Sequence, residues 1–104
     1  EEADIDWQMD AAQLERNIRA FNPWPVCFTQ MQENTVKIWQ ADVVEQSGEA
    51  GTVLHADKQG IVIACGENAL RITQLQPQGK KPMSAQDFLN GRAEWVAAGN
   101  KVGQ

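Results

Sequence analysis

Between Val26 and Leu75 the chain breaks into short β-branched or apolar runs: Val26–Met31, Thr35–Val44, Thr52–Ala56, Ile61–Cys65 and Ala69–Leu75. The breaks between them are Glu33-Asn34, Ser47–Gly51, Asp57–Gly60 and Gly66-Glu67-Asn68. They carry the polar residues and glycines of turns, and the last is short enough for a tight hairpin. Runs this short cannot bury a face alone. With a turn about every eight to twelve residues they predict a mainly β fold, a small barrel or sandwich. Within Thr35–Val44, Val36 and Ile38 lie on one face and Trp39, Ala41 and Val43 on the other. A strand that changes its buried face predicts a bend or bulge, as at barrel corners.

Helices flank this region. Asp10-Ala11-Ala12-Gln13 has the form of a capping box, in which the Asp carboxylate accepts an N–H and Gln13 reaches back. Leu14, Ile18 and Phe21 then recur at helical spacing and predict a helix over 10–21. Arg16 and Arg19 fall on its opposite face, about 60° apart. Asn22-Pro23-Trp24-Pro25 ends the helix, because each proline biases its predecessor away from helical backbone. Further on, Pro77-Gln78-Gly79-Lys80-Lys81-Pro82 is a loop by composition. Ser84 is a good N-cap for a second, short helix that carries Ala85, Phe88 and Leu89 inward, with Gly91 just past its end.

The 104 residues suit one domain, since a second core would leave each half too small. No apolar run approaches the roughly eighteen residues of a membrane span, and Ile61–Cys65 is the most informative one. The acidic start, Glu1-Glu2-Ala3-Asp4, has no initiator Met and is unlike a basic-then-apolar signal peptide. The chain therefore reads as a segment of a longer polypeptide. Cys27 and Cys65 belong to no Cys-x-x-Cys pair; two buried free thiols in a reducing cytosol is the favoured reading, with a disulfide between them as the alternative. His55 is the only histidine, and no cluster of ligands has zinc spacing, so no metal is expected.

A net charge of −5 argues against a nucleic-acid surface on average, but the charge is uneven. Residues 1–49 carry a net −7 and residues 50–104 a net +2. An anion site belongs in the second half. No nucleophile stands in a recognisable motif with His55, which reads as structural or merely exposed. The carboxylate pairs Asp4/Asp6 and Glu1/Glu2 read as solvated charge runs, and neither a G-x-G-x-x-G nor a P-loop is present. A complete active site within this chain is not expected.

The positive signal is Gly79-Lys80-Lys81-Pro82-Met83-Ser84. Lys80 and Lys81 sit in a loop leading to a helix N-terminus, where free N–H groups and the dipole favour an anion. Arg92 could extend the patch, and Arg16 with Arg19 forms a second, weaker candidate. The bland reading is a solvated loop and a solvated helix face. Trp7, Trp24, Trp39 and Trp95 read as structural rather than as base-stacking platforms.

Several of these segments together resemble a known family. Ile5-Asp6-Trp7, Ala12–Arg16 and Ile18–Pro25 resemble the opening of the C-terminal domain of methionyl-tRNA formyltransferases. Val36–Trp39, Gly51-Thr52-Val53 and Ile63–Gly66 resemble its barrel strands and turns. Leu75-Gln76-Pro77, Gly79-Lys80-Lys81 and Met83–Leu89 resemble its closing loop and helix, so the likeness runs from about residue 3 to 95. It implies an OB-like barrel of about five or six strands, a single C-terminal domain spanning 1–104. The whole enzyme would transfer a formyl group from 10-formyltetrahydrofolate to methionine on initiator tRNA. The catalytic Asn, His and Asp would lie in a Rossmann-like N-terminal domain outside this chain, which itself would hold no cofactor. The resemblance further implies a cytoplasmic monomer whose partners are initiator tRNA and that catalytic domain. Lys80 and Lys81 would face the tRNA phosphates, supported by Arg92, Arg16 and Arg19. Two alternatives remain open: the equivalent domain of a sugar-nucleotide formyltransferase with no RNA role, and a module that only braces the catalytic domain.

Overall fold

The structure, a computed structural model, describes residues 3–103. The Glu1/Glu2 pair and Gln104 lie outside the described residues. The first helix, α1, runs Ala11–Ala20 and buries Ala11, Leu14 and Ile18. Asp10 Oδ1 accepts the Gln13 backbone N–H at 2.8 Å, satisfying one free donor of the first turn. The return half of the capping box is not made. The Gln13 carboxamide instead donates to Asn17 Oδ1 at 2.9 Å and accepts from Arg16 at 2.9 Å.

After α1 the Val26 N–H donates to the Phe21 carbonyl at 2.8 Å, closing a loop that turns residues 22–25 outward. Trp24 is left 83% exposed, so the reading of the tryptophans as structural does not extend to it. Trp7 is buried with its Nε1–H on Thr29 Oγ1 at 2.9 Å, while Trp39 and Trp95 are half-buried.

The strands are β1 (Phe28–Met31), β2 (Asn34–Val44), β3 (Val53–Asp57), β4 (Gly60–Ala64), β5 (Ala69–Pro77) and β6 (Met83–Ser84). They form one curled antiparallel sheet in the order β1-β2-β5-β4-β3, with β6 also on β5. The β1–β2 turn holds Gln32 and Glu33 at φ 53° and 67°, the left-handed pair that matches strand twist in a two-residue hairpin. The bulge expected in the long second strand is present: the β2–β5 register shifts on both sides of Gln40. Before it, Val36 and Ile38 are fully buried. Beyond it Ala41 packs on the core but Val43 is 38% exposed, so the expected change of face holds only over the first residues.

The two sheet edges, β1 and β3, do not pair with each other. The segment Gly99–Gly103 runs between them. Gly99 N–H donates to Val53 O, Val53 N–H to Asn100 O and Val102 N–H to Gly51 O, each at 2.8 Å. On the other side Gly103 N–H donates to Gln30 O at 2.7 Å, and Val102 bridges Met31. This segment closes the barrel and removes exposed edges that would otherwise template aggregation.

The short helix α2, Ala85–Leu89, packs against β3, β4 and β5 and inserts the fully buried Phe88 into the core. A 3₁₀ turn over Ala93–Val96 follows and brings Trp95 edge-on to Phe88, with ring centroids 5.7 Å apart. The turn between β4 and β5 sits tightly on the segment before α1. Gly66 N–H donates to the Met9 carbonyl at 2.9 Å, and a Cβ at Gly66 would collide with the Gln8 carbonyl. Only glycine permits that approach. Among the described residues, no helix is long and apolar enough to cross a membrane.

Candidate functional site

Strand alternation explains how the basic residues gather. Val36 and Ile38 point into the barrel, so Lys37 and Trp39 point out. Lys37 stands opposite Gln76 in the β2–β5 ladder. Trp39 Nε1–H donates to Gln76 Oε1 at 2.8 Å, and Gln76 Nε2–H donates to the Lys80 carbonyl at 2.6 Å. This chain of bonds fastens the Lys80-Lys81 loop to the outer face of the sheet. The loop itself is set by Gln78 N–H on Thr35 O at 3.2 Å and Lys80 N–H on Pro77 O at 3.0 Å. Gly79 takes φ +81° there with open space around it.

Two depressions border the loop. One, of about 250 Å³, is lined by Thr35, Lys37, Gln76, Pro77, Gln78 and Gly79. The other, of about 540 Å³, lies between α1 and the sheet, with Arg19, Trp39, Gln40, Gln74 and Pro82 in its walls. Lys80 and Lys81, both exposed, fall in sequence between Gly79 of the first and Pro82 of the second.

The ion pairs among the described residues are Arg19–Glu15 at 2.7 Å, Arg71–Asp42 at 2.9 Å and Lys101–Glu49 at 2.8 Å. Lys37, Lys80 and Lys81 have no carboxylate partner among the described residues. Glu15, the one carboxylate among the described residues that lines either depression, is taken by Arg19. Hydrogen bonding and charge from Glu15 raise the Arg19 pKa above its ordinary value. The acidic N-terminal residues Asp4 and Asp6 line a separate depression with Met9 and Cys27. The overall negative charge therefore does not describe this face.

The structure brings Lys80 and Lys81 together with Lys37, which the sequence reading missed. The signal was present: Lys37 alternates with the inward Val36 and Ile38. Arg19 stands across the larger depression, already held by Glu15, while Arg16 donates to Gln13 at 2.9 Å. Arg92 is committed to packing. Its guanidinium lies 5.5 Å from the Phe88 ring centroid and 5.8 Å from that of Trp95, within cation–π range. α2 is only five residues long, and its Asp87 N–H is already capped by Ser84 Oγ at 3.2 Å. The ammonium groups, rather than that helix end, carry the positive charge of the face.

Other chemistry is quiet. His55 is exposed on β3 and meets Gln46 Oε1 at 3.2 Å. Cys27 and Cys65 are free and buried, and burial pushes their thiols up to about 11 and about 12. Both stay protonated and unreactive at neutral pH. Because the folded pKa values are raised, the unfolded chain loses these protons first. Their contribution to stability is complete below the ordinary thiol value of about 8.5 and is lost as pH rises through the folded values. Denaturant titrations at stepped pH are expected to show a midpoint falling from about pH 8.5 upward. The fall is expected to be shallower in Cys27→Ala/Cys65→Ala.

The pattern that defines the family "Formyl transferase, C-terminal domain" matches residues 1–93. The chain is similar to the methionyl-tRNA formyltransferase of Pseudoalteromonas translucida (strain TAC 125), with 64% identity over 108 residues, covering 100% of this chain and 34% of that protein. It thus spans about a third of that relative's length. Among solved structures, HypX from Aquifex aeolicus in complex with tetrahydrofolic acid matches with a TM-score of 0.74. That match has 19% identity and covers 92% of this chain and 18% of HypX. A variant of HypX matches with a TM-score of 0.70 and 22% identity, over 88% of this chain and 18% of that one. At these identities the HypX likeness is one of fold.

Proposed function

This chain belongs to the family of formyl transferase C-terminal domains, and on that premise we propose that it is the non-catalytic, tRNA-positioning domain of a methionyl-tRNA formyltransferase. The observation that carries the reading is the face of Lys37, Lys80 and Lys81, without carboxylate partners and pinned through Trp39 and Gln76. Ammonium groups so placed suit a phosphate backbone. Such contacts fix register and orientation without reading sequence. Holding the aminoacyl end near the formyl donor lowers the entropic cost of the encounter.

In this reading the chemistry, formyl transfer from 10-formyltetrahydrofolate to methionyl initiator tRNA, belongs to a catalytic domain elsewhere in the same polypeptide. The protein acts as a monomer in the cytoplasm. Arg16, Arg19 and Arg92 contribute less than the lysines, because each already has a partner within the chain. A second reading, a brace for the catalytic domain, is favoured by one observation, the 83% exposure of Trp24 at the corner after α1. A sugar-nucleotide formyltransferase domain would have no use for the lysine face.

Titration of initiator tRNA into this chain at several salt concentrations tests the proposal. Binding is expected to be weak and to fall steeply with salt. Lys80→Ala/Lys81→Ala is expected to reduce the slope of log K against log salt by about 1.5, roughly two phosphate contacts. An unchanged slope would remove the lysines from the interface and leave the brace.

A further inference from the structure

The depression of about 540 Å³ differs in chemistry from the lysine face beside it. Its Arg19 and Glu15 neutralise each other at 2.7 Å, so it attracts neither a phosphate nor a cation. Trp39 lines it and is half-exposed, with its Nε1–H fixed on Gln76, so the indole orientation is set before any ligand arrives. The Asn22 side chain donates to the Trp39 carbonyl at 3.2 Å and holds the corner after α1 against the same strand. Gln40 and Gln74 stand opposite each other across β2 and β5 and both line the depression. Neither carboxamide has a hydrogen-bond partner among the described residues.

An indole held in place, paired carboxamides and no net charge suit a flat, neutral ligand with donors and acceptors on its edge. We propose that this depression takes a single unpaired nucleobase, stacked on Trp39 and hydrogen-bonded at its edge by Gln40 and Gln74; the inference rests on the RNA-binding reading above. Carboxamides can both donate to and accept from a base edge, which a lysine cannot. Stacking on an aromatic side chain is tolerant of base identity, because every base has a π face. The lysines then hold phosphates while the slot selects RNA with a base free of its helix. The bulge at Gln40 acquires a role here, since it turns the carboxamide and Trp39 toward the same opening.

The test compares a short RNA duplex with the same duplex carrying one unpaired nucleotide, each titrated into this chain across a range of salt. The bulged RNA is expected to bind roughly tenfold more tightly at every salt concentration. Trp39→Ala is expected to abolish that ratio and, by freeing Gln76 from the indole, to lower the salt slope by less than the lysine pair does, whereas Trp39→Phe, which loses the same bond but keeps a stacking face, retains most of the ratio. Gln40→Ala/Gln74→Ala, on exposed or half-exposed positions, is expected to reduce the ratio without affecting folding. Lys80→Ala/Lys81→Ala is expected to lower the slope and leave the ratio alone. Equal affinity for the two RNAs, or a ratio that survives both Trp39→Ala and the glutamine pair, would overturn the slot while leaving the lysine face standing. Failure of both RNAs to bind at any salt would overturn the slot and the lysine face together.

Discussion

A chain ending at Val96 is expected to lose about 5.5 kcal/mol of stability and to aggregate on warming. The shortened chain gives up the bonds from Gly99, Val102 and Gly103 to the sheet edges and the acceptor for Val53 N–H. Each such bond contributes about 1 kcal/mol net. It also loses Val102, buried to 3% exposure, for about 1.5 kcal/mol more. Domains of this size commonly have only about 5–15 kcal/mol in total. Both edges, β1 and β3, would then present unpaired backbone. Urea unfolding followed by circular dichroism, with light scattering on heating, measures both effects. An unchanged midpoint would mean that the barrel is held by its sheet alone and that Gly99–Gly103 is an accessory.

Phe88→Ala is expected to cost about 3–5 kcal/mol, the range for emptying a fully buried aromatic site. Phe88 is completely buried, meets Trp95 edge-on at 79° and underlies the Arg92 guanidinium. Its removal leaves a cavity beneath α2 and takes away the platform for a charged group. Phe88→Leu keeps most of the volume and is expected to cost about 1–2 kcal/mol. The two costs are read from denaturant midpoints. Equal losses for the two variants would show that ring contacts, rather than volume, hold α2 in place. Because Met83–Ser84 joins α2 to the loop, hydrogen exchange at those residues is expected to quicken in the alanine variant.

The sequence carried the elements well where their signals are local. The stripe of Leu14 and Ile18 with Asp10 ahead of it marks α1 to within a residue. Alternation through Val36 and Ile38, then its interruption, marks both the strand and the bulge at Gln40. Ser84 and Gly91 bracket α2 as cap and left-handed terminator. The same run of residues carries the family likeness, and the exposed position of Lys80 and Lys81 follows from their loop.

Other features depend on partners far away in the chain. Gly99–Gly103 is short, polar and glycine-bearing and has no strand signature, yet two open edges recruit it. Trp24 resembles a core residue in composition, but the bond from Val26 to Phe21 turns its loop into solvent. Arg92 looks like a spare cation until Phe88 and Trp95 meet around it. Lys37 joins Lys80 and Lys81 only because β2 pairs with β5, a strand more than thirty residues further along the chain, rather than with β3. Local periodicity and capping therefore determined which segments are helix or strand and which side chains face inward. Strand order, barrel closure and the meeting of the lysines with the Trp39 slot were decided by tertiary structure. Those contacts join groups distant in sequence, and their energy comes from burying shared surface and pairing edges that no local pattern encodes.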